Sequence, residues 1–254
     1  MNGTSLLRSP ARCAAALAIA ALSIAVCAAP PARGMELEAG GEGVRGEGTL
    51  YARWSLASTD IDGIALLAHL EANRLDFPTR LDEKRWRIGS PGAVLRLGLG
   101  LGGAIASLAV LPGIEYRTTS ERPDGEDGEV TITELAFAPE ATADLALGEH
   151  AMLGLHATRS EALGYSWGRA TLERRFGAEV PPDDPRSLEV SMGPELTVES
   201  DNDADWRVYA GGRIGFRFVR TAITFDLNGG ALARPAAGTE DARSYVGIRV
   251  SRER

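Results

Sequence analysis

Two neighbouring stretches of this chain alternate residue by residue for more than ten positions each. In 187–199, Leu188, Val190, Met192, Pro194, Leu196 and Val198 share one face, and Glu189, Ser191, Gly193, Glu195, Thr197 and Glu199 share the other. In 206–219, Val208, Ala210, Gly212, Ile214, Phe216 and Phe218 stand opposite Arg207, Tyr209, Gly211, Arg213, Gly215 and Arg217. A period of two puts successive side chains on opposite faces of a β-strand; a helix would scatter the same residues around its axis. Both stretches exceed the common strand of about 5–6 residues and match the roughly 9–11 needed to cross a bilayer.

The same period recurs along most of the chain. Leu50, Ala52, Trp54 and Leu56 alternate with Tyr51, Arg53 and Ser55 in 49–57. In 63–73, Ile64, Leu66, Ala68 and Leu70 alternate with Leu67, His69 and Glu71. In 92–101, Ala93, Leu95, Leu97, Leu99 and Leu101 oppose Arg96, Gly98 and Gly100. Further strands fit 104–117, 130–138, 141–147, 150–158 and 164–176. Near the end, Ile223, Phe225 and Leu227 oppose Thr224, Asp226 and Asn228, and Val246, Ile248 and Val250 oppose Tyr245, Gly247, Arg249 and Ser251. Asp60–Gly63, Pro91-Gly92, Pro181–Pro185, Asp201–Asp205 and Pro235–Asp241 carry turn chemistry. Residues 120–129 read as a polar loop, and no stretch reads as an amphipathic helix.

About 10–12 antiparallel strands joined by hairpins make a sheet too wide to stay open, so it closes. The expected fold is all-β: a closed antiparallel up-and-down barrel over residues 49–254. Two closures are compatible with the period. A soluble barrel or sandwich keeps its apolar face inside, whereas a membrane barrel turns that face to lipid and lines its interior with polar groups. Strand length favours the membrane plan. So do the glycines at polar-face positions (Gly98, Gly100, Gly211, Gly215, Gly247), which leave room for arginines in a narrow lumen. Aromatic residues near strand ends (Phe77, Trp86, Tyr116, Phe176, Trp206, Phe218) fit interfacial belts. The alternative is a soluble periplasmic β-barrel that binds a ligand.

The membrane plan defines a candidate lumen network: Glu189, Glu195 and Glu199 beside Arg207, Tyr209, Arg213 and Arg217, then Asp226, then Arg249. Cross-strand ion pairing is its simplest use.

The N-terminus carries an export signal. Arg8 and Arg12 precede the uncharged run Cys13–Ala29, and small residues and prolines follow, so residues 1–29 read as a signal peptide cleaved after Ala29. Residues 30–48, rich in glycine and glutamate, read as a flexible leader. Both cysteines, Cys13 and Cys27, fall within the signal segment, so the exported chain is expected to carry no disulfide. Hydrophobic content of 44% fits a folded body, and a net charge of −8 argues against a nucleic-acid partner.

Chemistry-bearing motifs are few. In Gly193-Pro194-Glu195 the proline lacks a ladder donor, and the sequence allows either a bulge that aims Glu195 into the lumen or a simple kink. Asp201, Asp203 and Asp205 begin with calcium-loop spacing, but Trp206 and Gly212 stand where the turn glycine and the final glutamate belong, so a hairpin tip is the better reading. The glycines from Gly98 to Gly103 precede no helix and make no dinucleotide site. His69, His150 and His156 lack metal-ligand spacing, and His69 reads as an ordinary polar-face residue. No catalytic, cofactor or metal site is expected, and the chain reads as a non-enzyme.

The order of segments in 90–252 resembles the BcsS family of accessory proteins in bacterial cellulose biosynthesis. The resemblance lies in "LEVSMGPELTVESDNDADWRVYAGGRIGFRF", in "LPGIEYRTT", in "ELAFAPEATADL" followed by "MLGLHATRSEALGYSWGRATLERRF", and in "SYVGIRVSR". It implies a signal peptide, an outer-membrane β-barrel of a Gram-negative bacterium, and a role beside the cellulose secretion machinery or its exported polysaccharide. Residues 49–90 match that pattern weakly, and the chain ends in Ser251-Arg252-Glu253-Arg254 where many outer-membrane barrels end in an aromatic. Outer-membrane lipid is the expected surrounding. A small porin or surface barrel unrelated to cellulose is the alternative.

Overall fold

A computed structural model of the chain describes residues 35–44, 47–58, 63–81, 84–123, 130–177, 187–200, 206–234 and 244–253. They form fourteen strand segments: β1 (Met35–Val44), β2 (Glu47–Ala57), β3 (Ile64–Leu81), β4 (Lys84–Gly102), β5 (Ala106–Leu111), β6 (Gly113–Pro123), β7 (Val130–Phe137), β8 (Glu140–Ala146), β9 (Ala151–Ser160), β10 (Tyr165–Gly177), β11 (Leu188–Ser200), β12 (Trp206–Phe218), β13 (Ile223–Arg234) and β14 (Ser244–Glu253). The only helical turn among the described residues is a 3-10 turn at Val219–Thr221. The sheet closes because β1 pairs with both β2 and β14.

The fourteen segments make twelve staves. One edge of β4 pairs with β5 in its second half and with β6 in its first, so β5 and β6 are one interrupted strand. Its hairpin partner is interrupted at the same level. Leu111 lies opposite Glu140 and Ile114 opposite Phe137 in one unbroken register, which sets Pro112 across from Pro139. Neither proline can donate to a ladder, so the two outward neighbours, β4 and β9, each lose a bond at one height.

The alternation of the sequence becomes an inversion of polarity. Leu66, Leu97, Leu99, Leu135 and Val246 are exposed on the outer face, Leu97 by 58%. Glu115, Glu140, Glu195, Arg96, Arg117 and Asp226 are buried on the inner face. Charged groups turn inward, where they can pair, and apolar groups turn outward, the polarity plan of a membrane barrel. One register row marks the upper limit of the apolar belt on the tall side of the wall. Ala72, Ala93, Tyr116 and Leu135 form one row, and the next outward-facing row is Arg74, Pro91, Thr118 and Thr133. Arg74 pairs there with Asp76 at 2.9 Å, and the Thr118 and Thr133 hydroxyls meet at 3.3 Å. Beyond that row β3, β4, β6 and β7 continue as a raised flap of wall.

Two sequence expectations change, and one open alternative closes. Met35–Val44 lies within the stretch read as a flexible leader, yet it forms the strand that closes the barrel. Gly40, Gly41 and Gly43 erase the alternation there, and Gly40 is needed because a Cβ would sit 2.7 Å from the Tyr51 hydroxyl. No bulge forms at Pro194. The β11–β12 register is continuous from Leu188 to Ser200, so ordinary alternation turns Glu195 inward and Pro194 outward. The register shift in this wall lies instead between Val208 and Tyr209, where β12 meets β13. The strands β3 and β4 also run well past the stretches read as 63–73 and 92–101. The segments 1–29, 124–129 and 201–205 lie outside the described residues, and Phe77 and Trp86 are described by backbone alone.

Candidate functional site: the polar interior

Inner-face side chains gather into two groups. The first centres on Glu140, placed at the start of β8 directly after Pro139. Its side chain is fully buried, with Arg53 and Arg96 each 3.1 Å from its oxygens. Arg53, on β2, reaches it past β3, β4 and the β5–β6 stave. Glu71, on β3, is shared by the same two arginines: Arg53 donates to it at 2.7 Å and Arg96 at 3.0 Å. Arg96 also donates to the Ala138 carbonyl at 2.9 Å, and the Thr158 hydroxyl donates to the Pro139 carbonyl at 3.1 Å. The backbone next to the proline break is therefore held from inside by side chains.

The two lumen histidines converge on the same carboxylate. His69 Nδ1 lies 3.6 Å and His156 Nε2 3.3 Å from Glu140 Oε1, both without hydrogen-bond alignment. His69 stands on the polar face, as its period indicates, and that face brings it beside Glu140. His150 sits in the exposed turn after β8. No group of histidine, cysteine or acidic residues suited to hold a metal ion occurs among the described residues.

Asn73 extends this group towards the raised rim. It donates to Glu71 at 2.8 Å and accepts from Arg117 at 2.6 Å. Arg117 also binds Glu115 at 2.6 Å and the Ser90 carbonyl at 2.6 Å, and Ser160 donates to the other Glu115 oxygen at 2.5 Å.

The second group contains residues expected from sequence. Asp226 accepts from Arg213 at 2.6 Å and 3.0 Å on one oxygen and from Arg249 at 2.9 Å on the other. Arg213 also pairs with Glu173, and Arg249 lies 3.6 Å from Glu38. Glu195 accepts from the Tyr245 hydroxyl at 2.6 Å and from Asn228 at 3.0 Å. Tyr245 spans two strands to do this. Its ring lies over Gly230, where a Cβ would come within 2.6 Å of it, and Gly211 faces Glu195 in the register. Tyr209 packs edge-on against Tyr245 at 5.7 Å. Glu189 and Arg217 pair at 3.4 Å in a half-exposed position near the strand ends, and Glu199 stands opposite Arg207.

Arg169 joins the two groups across the lumen. It stacks on Trp167 at 4.6 Å, lies 3.5 Å from Glu195, and forms an ion pair with Glu42 of β1, past β11 to β14. His156 meets Trp167 edge-on at 5.1 Å. Sequence reasoning missed Glu38, Glu42, Arg53, Glu71, Arg96, Glu115, Arg117, Glu140, Arg169 and Glu173. All but Glu38 and Glu42, which lie on the glycine-rich β1, stand on a polar face of a legible period or just beside one, but pairing across the lumen leaves no signal in local order.

No protein-family model and no curated protein matches the sequence. Solved structures match in fold. The translocator domain of the autotransporter NalP from Neisseria meningitidis aligns with 96% of this chain and 98% of its own, at 13% identity and a TM-score of 0.53. The β domain of the Bordetella autotransporter BrkA aligns with 85% of this chain and 98% of its own, at 13% identity and a TM-score of 0.50. A KdgM porin aligns with 86% of this chain and 99% of its own, at 10% identity and a TM-score of 0.46. The fold is the closed antiparallel barrel of outer-membrane β-barrel proteins.

Proposed function

We infer that this chain resides in the outer membrane of a Gram-negative bacterium as a small, non-enzymatic surface barrel or porin with a side-chain-filled lumen. One observation carries the reading: leucines crowd the outer wall while Glu140, with a fully buried side chain, sits among arginines inside. The Arg53–Glu140 and Arg169–Glu42 contacts run across the interior and narrow any path along the axis. The acids are matched by arginines, so a weak preference among ions is expected rather than a strong one.

Two experiments test the reading. The folded chain should extract from membranes only with detergent and shift on a gel after boiling; extraction by salt or alkali would overturn the membrane placement. In planar bilayers the wild type should pass little current. The Arg53→Ala, Arg169→Ala double variant should pass at least several times more, and an unchanged conductance would refute closure by these bridges. Service to cellulose export is a finer reading that rests on the motifs in 90–252. Loss of Congo-red staining on deletion supports it, and unchanged staining removes it.

A further inference from the structure

The barrel wall is not level. On the rim away from the chain termini, β9 ends at Ser160, whose register places it across from Ala138. The adjoining β7 continues upward from there to Val130, paired with β6 on one side only. On its other side no described strand pairs with it, and its last contact is the Glu161 N–H donating to the Phe137 carbonyl at 3.1 Å. Residues 130–135 are exposed on both faces.

The ladder fixes which backbone groups are free. Ala138 N–H donates to the Gly113 carbonyl, so the even-numbered residues of β7 bond to β6. The N–H and C=O groups of Thr131, Thr133 and Leu135 therefore point to the open side. The segment VTITEL is rich in β-branched residues and lacks proline, and only Glu134 in it is charged. Edges of this kind are normally covered, twisted away or charged, because they template pairing with another chain.

We propose that β7 is a docking edge for an extended, basic segment of a partner polypeptide, which adds a strand to the raised wall. The added strand would sit above the turn at 161–164, where the wall is missing. Backbone bonds supply the affinity of such β-augmentation, and side chains set the preference. The exposed carboxylates Glu134 and Glu161 stand at the lower end of the edge, while neighbouring Arg159 donates to Ser166. That balance favours a basic segment. A second copy does not fit: barrels side by side in one membrane are related by an axis along the membrane normal, so their tilted edge strands would cross steeply instead of pairing. The inference holds whether or not the lumen conducts.

The test uses the full barrel refolded in detergent micelles, its folded state checked by the gel shift. The probe is a labelled peptide of alternating threonine and valine with an arginine at each end. Saturable binding by fluorescence anisotropy is expected, with slowed amide exchange at Thr131, Thr133 and Leu135. Thr133→Pro deletes a free edge donor without removing a β6 bond, and should weaken binding at least tenfold; Thr133→Val should retain it. The same peptide with alternate amides N-methylated should bind at least tenfold more weakly, a result independent of any variant's folding. A peptide ending in glutamates should also lose at least tenfold. Absence of saturable binding to wild type, full binding of the N-methylated peptide or by Thr133→Pro, or equal binding of the acidic peptide would each overturn the proposal.

Discussion

Glu140 and Asp226 are both carboxylates nearly shut off from water, yet they are held by different geometry. Asp226 takes its arginines from the two strands beside it, Arg213 on β12 and Arg249 on β14. Glu140 draws Arg53 and Arg96 from staves that do not adjoin its own, and two histidines besides. The first arrangement stiffens neighbouring strands; the second ties distant walls together. Glycine supports the Asp226 side, where Tyr245 lies flat over Gly230 to reach Glu195. Proline marks the Glu140 side, where Arg96 and Thr158 donate to the Ala138 and Pro139 carbonyls beside the break.

Mutations rank the two arrangements. Glu140→Ala should be the most damaging, because it leaves Arg53 and Arg96 to share Glu71 as their one carboxylate; removing one partner of a buried ionic pair costs about 3–5 kcal/mol. Urea unfolding in lipid vesicles, followed by tryptophan fluorescence, measures it. A loss under about 1 kcal/mol would mean that distant walls are not held through this carboxylate. Tyr245→Phe should cost about 1.5–3 kcal/mol in the same assay, the worth of a hydrogen bond to a charged group. If it matched Glu140→Ala, the distinction between the two arrangements would fail. Gly230→Ala should cost about 1–3 kcal/mol through overpacking, since the added methyl meets both Tyr245 and the Ala210 carbonyl at 2.6 Å. Combined with Tyr245→Ala, which frees that space on one side, its cost should shrink. Arg217→Ala removes a half-exposed pair and should move stability by no more than about 1 kcal/mol. A larger effect would place that pair deeper in the lumen than its geometry indicates.

The Asp226 side was the more legible in sequence. Its strands alternate cleanly, and Arg213, Asp226 and Arg249 meet because their strands are consecutive in the chain. Period two assigns faces, and consecutive hairpins assign neighbours; together they yield contacts between adjacent strands. They yield nothing about which side chains meet across a lumen, because that depends on stave tilt and circumference. Hence Arg53 and Glu140, 87 positions apart, could not be paired from the pattern. The first strand was illegible for another reason. In MELEAGGEGV the outer face fades into Gly41 and Gly43, while Gly40 on the inner face leaves the space that Tyr51 takes, so the alternation is lost on both faces.

The pairing of β1 with β14 has a consequence for biogenesis. The ring is sealed by the earliest and the latest described strands, so the final hydrogen-bonded seam has to wait for the C-terminal residues to arrive. Until Tyr245 to Glu253 are in place, Glu38 lacks Arg249 and the growing sheet carries two bare margins. Anything that shields such margins would have to stay beside β1 until the last hairpin comes home.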